Sequence, residues 1–460
     1  MKKCNREKAL RKIEFKRKLR SYSRYVYIAV PRVLCCLLCL YFAYSKFFVS
    51  EEQAVIRTTI GDFIHGDVIG AYIDGEYSNT IPGKNDGYIV EKVSCDNGAV
   101  GKWNSDDWGL LTTNLSKRTK CNVYFKKEPV SNIIAQLDTS GKCPTMNADG
   151  SVNVTGVEAT NGYLCKAKDA YGDSYYYRGN VTNNYVKFAG YYWRIVRING
   201  DGTVRVIYDG TSAHANGENS ADRQIGMNAF NSNKNDNAYV GYMYGKTGAS
   251  TYADTHANTN DSTIKTYIDN WYKTNIIGTT NEQYLADNVF CNDRSISSNK
   301  PSSNYNNLGY GTNNTAYRWW YGPWSDEWSD GSINSSMRLM CPQKNDAFTV
   351  SDTTNGNGAL TYPVGLLSID EIVLAGGWDA SNSGYYLYSG QYWWTSSSDY
   401  VNGSYALVRL VDSDGYANYR NYVNSGNGVD SNHGVRPVFN LKAEVLAQGS
   451  GTASDPYRLS

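Results

Sequence analysis

"YVKFAGYYWRIVRINGDGTVRVIYDGT", residues 185–211, decides how the chain is read. Tyr191–Ile198 and Thr203–Tyr208 are two runs rich in aromatic and β-branched residues, and the Asn-Gly-Asp-Gly between them is a turn sequence, so the stretch predicts a β-hairpin. A hairpin with so many large apolar side chains needs further strands against it, so it opens a domain. Downstream, "DSTIKTYIDNWYKTNI" places Ile264, Tyr267, Ile268, Trp271 and Tyr272 on one helical face behind an Asp261/Ser262 cap. A second helix follows Ser368, which forms a Ser-x-x-Glu capping box with Glu371 and has Gly376 as its stop. Short strands close the chain: "YYLYSGQYWWTSS", "GSYALVRLVDSDGYANYRNYV" and "HGVRPVFNLK".

Upstream of the hairpin the pattern changes. Residues 66–127 alternate strand-like runs with Asp-Gly, Asn-Gly and Gly-Lys turns and read as a small sandwich-like β domain. Residues 128–184 are rich in Asn and Gly and read as a connector stapled by Cys143 and Cys165. Cys95, Cys121, Cys143, Cys165, Cys291 and Cys341 form an even set, which implies three disulfides, with nearest-neighbour pairing expected. No pair has C-x-x-C spacing and no histidine adjoins one, which argues against a metal site.

Charge is unevenly placed. Of the 45 Lys/Arg and 44 Asp/Glu, 13 and 2 fall in residues 1–50, which leaves 32 basic against 42 acidic residues beyond. A basic leader, residues 1–24, precedes the apolar stretch 25–48, interrupted only by Arg32 and Lys46. Two readings compete for it. The uninterrupted apolar core, Val33–Tyr44, has the length of a cleaved signal peptide, whereas residues 25–48 reach the ~20 residues of a span if Arg32 snorkels. The long basic leader favours the uncleaved signal anchor, with the N-terminus cytoplasmic and the body outside a single-pass membrane anchor. The acidic body, with 35 of the chain's 40 Tyr and all 43 Gly, is too aromatic to be disordered, and no nucleic-acid partner is expected of it.

In combination, W-R-I-V-R-I-N-G-D-G, S-T-I-K-x-Y-I-D-N-W, "VGLLSIDEIVLAGG", "YWWTSSS" and "GVRPVFNLK" ahead of "GSGTASDPY" resemble a family of exported bacterial surface proteins from gut Firmicutes. Their C-terminal domain is uncharacterised and is similar to the C-type-lectin-like fold of formylglycine-generating enzymes and of variable binding proteins. For residues 185–460 the resemblance implies such a domain, with short strands, two main helices and long loops. The expected fold class is therefore α+β: a signal-anchor helix, the small β domain, the connector and a lectin-like domain. The copper-binding cysteines of the resembling oxidase are not matched, because Cys291 and Cys341 lie 50 residues apart.

The loop "GNGVDSNHGVRPVFNL", residues 426–441, raises the question of catalysis. Asp430, Ser431 and His433 are too close in sequence to form a triad, since strand neighbours point to opposite faces. Gly434 instead permits a close backbone approach, Arg436 a buried ion pair, and His433 is expected as the last exposed residue before the scaffold. "DSDGYAN", residues 412–418, reads as a hairpin turn rather than a calcium loop, lacking a terminal bidentate Glu. Residues 395–433 have the Ser, Tyr, Asn and Gly mixture of recognition surfaces. Trp394, Tyr400, Asn402, Tyr419, Asn421, Tyr422 and His433 are the candidate ligand-binding residues, with Trp393 and Trp394 expected on opposite strand faces. No cofactor or metal is expected. The leading expectation is a membrane-anchored surface protein that binds an extracellular glycan or protein. An oxidase-like or hydrolytic enzyme and a purely structural envelope protein are the alternatives.

Overall fold

The structure, a computed structural model, describes residues 11–18, 53–56, 69–296, 314–319, 336–377, 382–417 and 432–459, apart from gaps at 85, 106, 115–118, 128–129, 155–156, 158 and 403–404. Residues 25–48, expected as a signal anchor, lie outside this set. No helix among the described residues is long and apolar enough to cross a membrane. The chain divides into two compact units, residues 1–128 and 129–460.

The first unit holds two sheets. Glu76–Ser78, Ile69–Ile73, Cys121–Lys127 and Tyr88–Cys95 form one in that order, and Gln53–Ile56, Gly109–Thr113 and Val100–Asn104 form the other. Alternation along Ile69–Ile73 and Cys121–Lys127 sends Ile69, Ala71, Val123 and Phe125 into the core, where Trp103 meets Phe125 edge-on at 5.3 Å. The opposite face carries Tyr77, Tyr72, Tyr124 and Lys92 in directly opposed register across four strands. Tyr72 stacks on Tyr124 at 4.8 Å, and Lys92 covers the other side of Tyr124 at 4.4 Å, so the rings are engaged with one another.

The second unit is built on a seven-stranded sheet. Tyr163–Asp169, Gly172–Arg178, Tyr191–Ile198, Val204–Gly210, Val438–Leu441 and Val364–Gly365 lie side by side, and Tyr185–Phe188 also pairs with Tyr191–Ile198. The hairpin turns on Asn199–Thr203, with Gly202 at φ 82° as the tight turn requires. The segment expected as a connector therefore contributes two strands to the main sheet, with Leu164, Cys165, Tyr176 and Tyr177 in the core. A five-stranded sheet carries Met227–Ala229, Asn432–Gly434, Trp393–Asn402, Asn314–Ala316 and Ala406–Val411.

Helices are few. Ser262 caps Thr263–Asn275, whose Ile264, Ile268 and Tyr272 are buried. Ser368 and Glu371 form a complete capping box on Ile369–Ala375, which Gly376 ends in the left-handed conformation at φ 117°. Among the described residues seven sheets hold most of the regular structure, and the expected α+β class with an anchoring helix is corrected to a mostly β architecture. The cause is the residue content: aromatic and β-branched alternation recurs throughout, while sustained 3.6-residue periodicity appears in only two stretches. Disulfides join Cys95 to Cys121, Cys143 to Cys165 and Cys291 to Cys341.

Buried charge locks the second unit. Asp209, fully buried, is met by Arg223 Nε at 2.7 Å and Arg436 Nη2 at 3.0 Å, and Arg194 Nη1 lies 4.0 Å away. Arg436 also donates to the carbonyls of Leu387 at 2.7 Å and Tyr208 at 3.1 Å. Burial first, then the neighbouring Arg223, brings the Arg436 guanidinium down to about 9. At Gly434 any side chain would strike the Tyr392 carbonyl, 2.8 Å from where a Cβ would sit, so the closing segment passes too tightly for another residue.

Two outcomes are expected. Arg436→Ala leaves Asp209 and two carbonyls short of a donor and costs about 3–5 kcal/mol in chemical denaturation; a loss under about 1 kcal/mol would show that the closing segment is held otherwise. His256, buried against Arg294 and Asp346, is lowered to about 4, by burial first and Arg294 second. The unfolded chain then binds this proton near 6.5 and the folded chain only near 4, so its contribution is complete above pH 6.5 and lost as pH falls to 4. About 3 kcal/mol of acid sensitivity is expected in that window, reduced in His256→Asn; an unchanged pH slope in the variant would refute it.

Candidate functional site

Of the candidate ligand-binding residues, Trp394 and Tyr400 are buried. Trp393 and Trp394 project to opposite faces, but both faces are covered, and the two rings are 1% and 0% exposed. Trp394 donates from Nε1 to the Asn228 carbonyl at 2.9 Å and packs on Phe230, while Arg436 lies over Trp393 at 5.0 Å. Tyr400 is buried, and so is Trp319. Asn402 ends its strand opposite Asn314. Tyr419, Asn421 and Tyr422, with Asp430 and Ser431, lie outside the described residues.

His433 is half-buried rather than exposed. Its ring meets Trp394 edge-on at 4.9 Å, and desolvation lowers its pKa. The Asp412–Ala417 segment is a closed turn: Asp412 accepts from the Asp414 and Tyr416 amides at 2.9 and 2.8 Å, which spends an oxygen a cation would need. No group of three His, Cys, Asp or Glu suited to a metal ion occurs among the described residues.

A different region offers a built concavity. At one end of the main sheet, where Tyr163–Asp169 begins and Gly172–Arg178 ends, lies an open groove of about 400 Å³. Leu164, Tyr177 and Val181 form its buried floor, and Gln136, Asn180 and Thr182 its exposed rim. Because the register sets Leu164 opposite Tyr177, both side chains project to one side of the sheet. One wall is the turn after Ile134, bridged to the sheet by the Asp138 amide on the Leu164 carbonyl at 2.9 Å and stapled by Cys143–Cys165. The other wall is Asn180–Asn183, preceded by Gly179, which is at φ 80° and has the Asn161 carbonyl 1.9 Å from where a Cβ would sit, so no other residue fits.

That second wall is fixed from behind. Arg194 donates from Nη2 to the Val181 carbonyl at 2.7 Å, from Nε to Asn184 Oδ1 at 2.7 Å and from Nη1 to Asn216 Oδ1 at 3.0 Å. Asn216 donates in turn to Asn180 Oδ1 at 2.7 Å and to the Val181 carbonyl at 2.8 Å. The loop bearing Asn216 is clasped by His214, whose Nδ1 lies 2.7 Å from Glu218 and Nε2 2.9 Å from Asp222. Glu218 is lowered in pKa chiefly by that contact. The rim is thereby preorganised before any ligand arrives.

What the groove offers chemically is hydrogen bonding from neutral side chains beside a single carboxylate. Asp138, its one carboxylate, accepts from the Ser140 amide and hydroxyl and from the Lys142 and Cys143 amides. Those bonds, the Ser140 hydroxyl foremost, lower its pKa and occupy both oxygens. Asn183 spends its Nδ2 on Gln136 Oε1 at 2.7 Å, which leaves Oδ1 turned to other uses, and Asn180 keeps Nδ2. On the floor the Tyr177 hydroxyl is buried with no hydrogen-bond partner among the described residues, in a side chain only 2% exposed. Burial raises its pKa, so it stays an O–H donor.

None of these residues was a candidate on sequence grounds. The signal was present in "RGNVTNNY", residues 178–185, an amide-rich run between two aromatic strands, but only the sheet shows that a concavity lies beside it. No known protein family, curated protein or solved structure matches the chain.

Proposed function

We propose that the chain is an exported, disulfide-stapled surface protein that binds an extracellular ligand, a glycan or a protein, through the groove at Tyr177 and Asn180–Asn183. Three disulfides support an oxidising compartment. The resemblance of the C-terminal motifs to exported bacterial surface proteins points the same way. The observation that carries the binding reading is the concavity of about 400 Å³ whose rim, Asn180 to Asn183, is held from behind by Arg194 and Asn216. Binding rather than turnover fits the lining, which holds no histidine or cysteine and whose one carboxylate is committed.

Asn180→Ala combined with Asn183→Ala separates this function from scaffolding. Thermal unfolding of the free protein is expected to change little, because both side chains lie on the rim. Ligand captured from an array of immobilised glycans and proteins is expected to bind the variant about 10-fold more weakly. Equal binding by the variant, or conversion of the captured ligand to product, would overturn the reading.

A further inference from the structure

We infer that the groove recognises an uncharged sugar ring, and that it does so through amides and hydroxyls of the chain alone. The inference rests on the binding reading above and narrows it to a ligand class.

The charge state of the lining excludes the alternatives first. No Lys or Arg lines the groove, and Asp138 is saturated by four donors. Arg194 lies behind the wall with its Nε, Nη1 and Nη2 engaged. An anion entering here would lose hydration, meet no cation and face the ionised Asp138, and a cation drawn to Asp138 would find each of its oxygens already accepting two hydrogen bonds. An extended peptide fares no better, because it would bind by pairing with a sheet edge. The edge strand Tyr163–Asp169 is already covered at the groove, where Leu137 bridges Leu164 and the Asp138 amide takes the Leu164 carbonyl.

A sugar ring meets what remains. Its C–H face is apolar and matches the floor of Leu164, Val181 and the Tyr177 ring. Each of its hydroxyls both donates and accepts, and the rim carries a donor in Asn180 Nδ2, an acceptor in Asn183 Oδ1 and the Thr182 hydroxyl, which can do either. A volume of about 400 Å³ lies at the small end of ligand sites and suits one or two rings, with the open end leaving room for a chain to continue.

The test uses the full chain produced with its disulfides, titrated calorimetrically in EDTA with glucose, galactose, N-acetylglucosamine and their disaccharides. Glucuronate, glucosamine and an extended-peptide library serve as charged and peptide competitors. At least one neutral sugar is expected to bind with Kd on the order of 1 mM or tighter, unaffected by EDTA. Asn180→Ala, Asn183→Ala and the exposed Thr182→Val are each expected to weaken it about 3- to 10-fold with an unchanged melting temperature. If those variants instead alter binding of a charged sugar or a peptide, the groove is a binding site but the ligand class is wrong. If no probe responds to any of the variants, the binding reading falls with it. Neutral-sugar binding that disappears in EDTA would overturn the claim that the chain's own groups suffice.

Discussion

One buried carboxylate, Asp209, sets the terms for the second unit. Three guanidiniums approach it from different parts of the chain: Arg194 from the central strand, Arg223 from the loop after the hairpin, and Arg436 from the closing segment. A single negative charge cannot balance three positive ones, so carbonyl oxygens share the load: those of Tyr208 and Leu387 for Arg436, Tyr386 and Tyr388 for Arg223, and Val181 for Arg194. Such a cluster is poor evidence for stability, because desolvating the charges offsets much of their attraction. Its effect is geometric. Segments far apart in sequence reach the same point in one register, and a shift of any of them strands a buried charge.

The groove depends on that arrangement. Arg194 lies 4.0 Å from Asp209 and donates to Val181, Asn184 and Asn216, so the rim that carries Asn180 and Asn183 is tied to the charge cluster that closes the sheet. A second buried network acts similarly on the helix Ile369–Ala375. Glu371 completes its capping box and also meets Arg197 at 3.3 Å and Arg205 at 3.1 Å, tying the helix start to the sheet. Burial brings Arg205 down to about 10, yet it remains charged across the physiological range. The helix is buried on every side, which is why it needs polar partners at its start rather than a polar face.

Features governed by neighbours in sequence were legible. The Asn-Gly-Asp-Gly turn, the Ser262 cap and the Ser368–Glu371 box depend on a few adjacent residues, and each is present where its residues stand. The cysteines joined as nearest neighbours, because each pair is brought together by structure between or beside its members: Cys95 and Cys121 sit directly opposite on paired strands. Trp393 and Trp394 show where local reading stops. Strand alternation correctly sends them to opposite faces, but whether a face is wet depends on what covers it, and Phe230 and Arg436 come from elsewhere in the chain.

The same limit separates what the sequence by itself determined from what the tertiary structure decided. Strands, turns, helix ends and cysteine count follow from short-range sterics and periodicity, which act over a few residues and can be read from them. The mostly β class, the entry of residues 163–178 into the main sheet, and the burial of Trp394 and Tyr400 follow from strand pairing across long separations. The groove is the sharpest case: Gln136, Leu164, Tyr177 and Val181 line one concavity, and only the folded sheet brings them together.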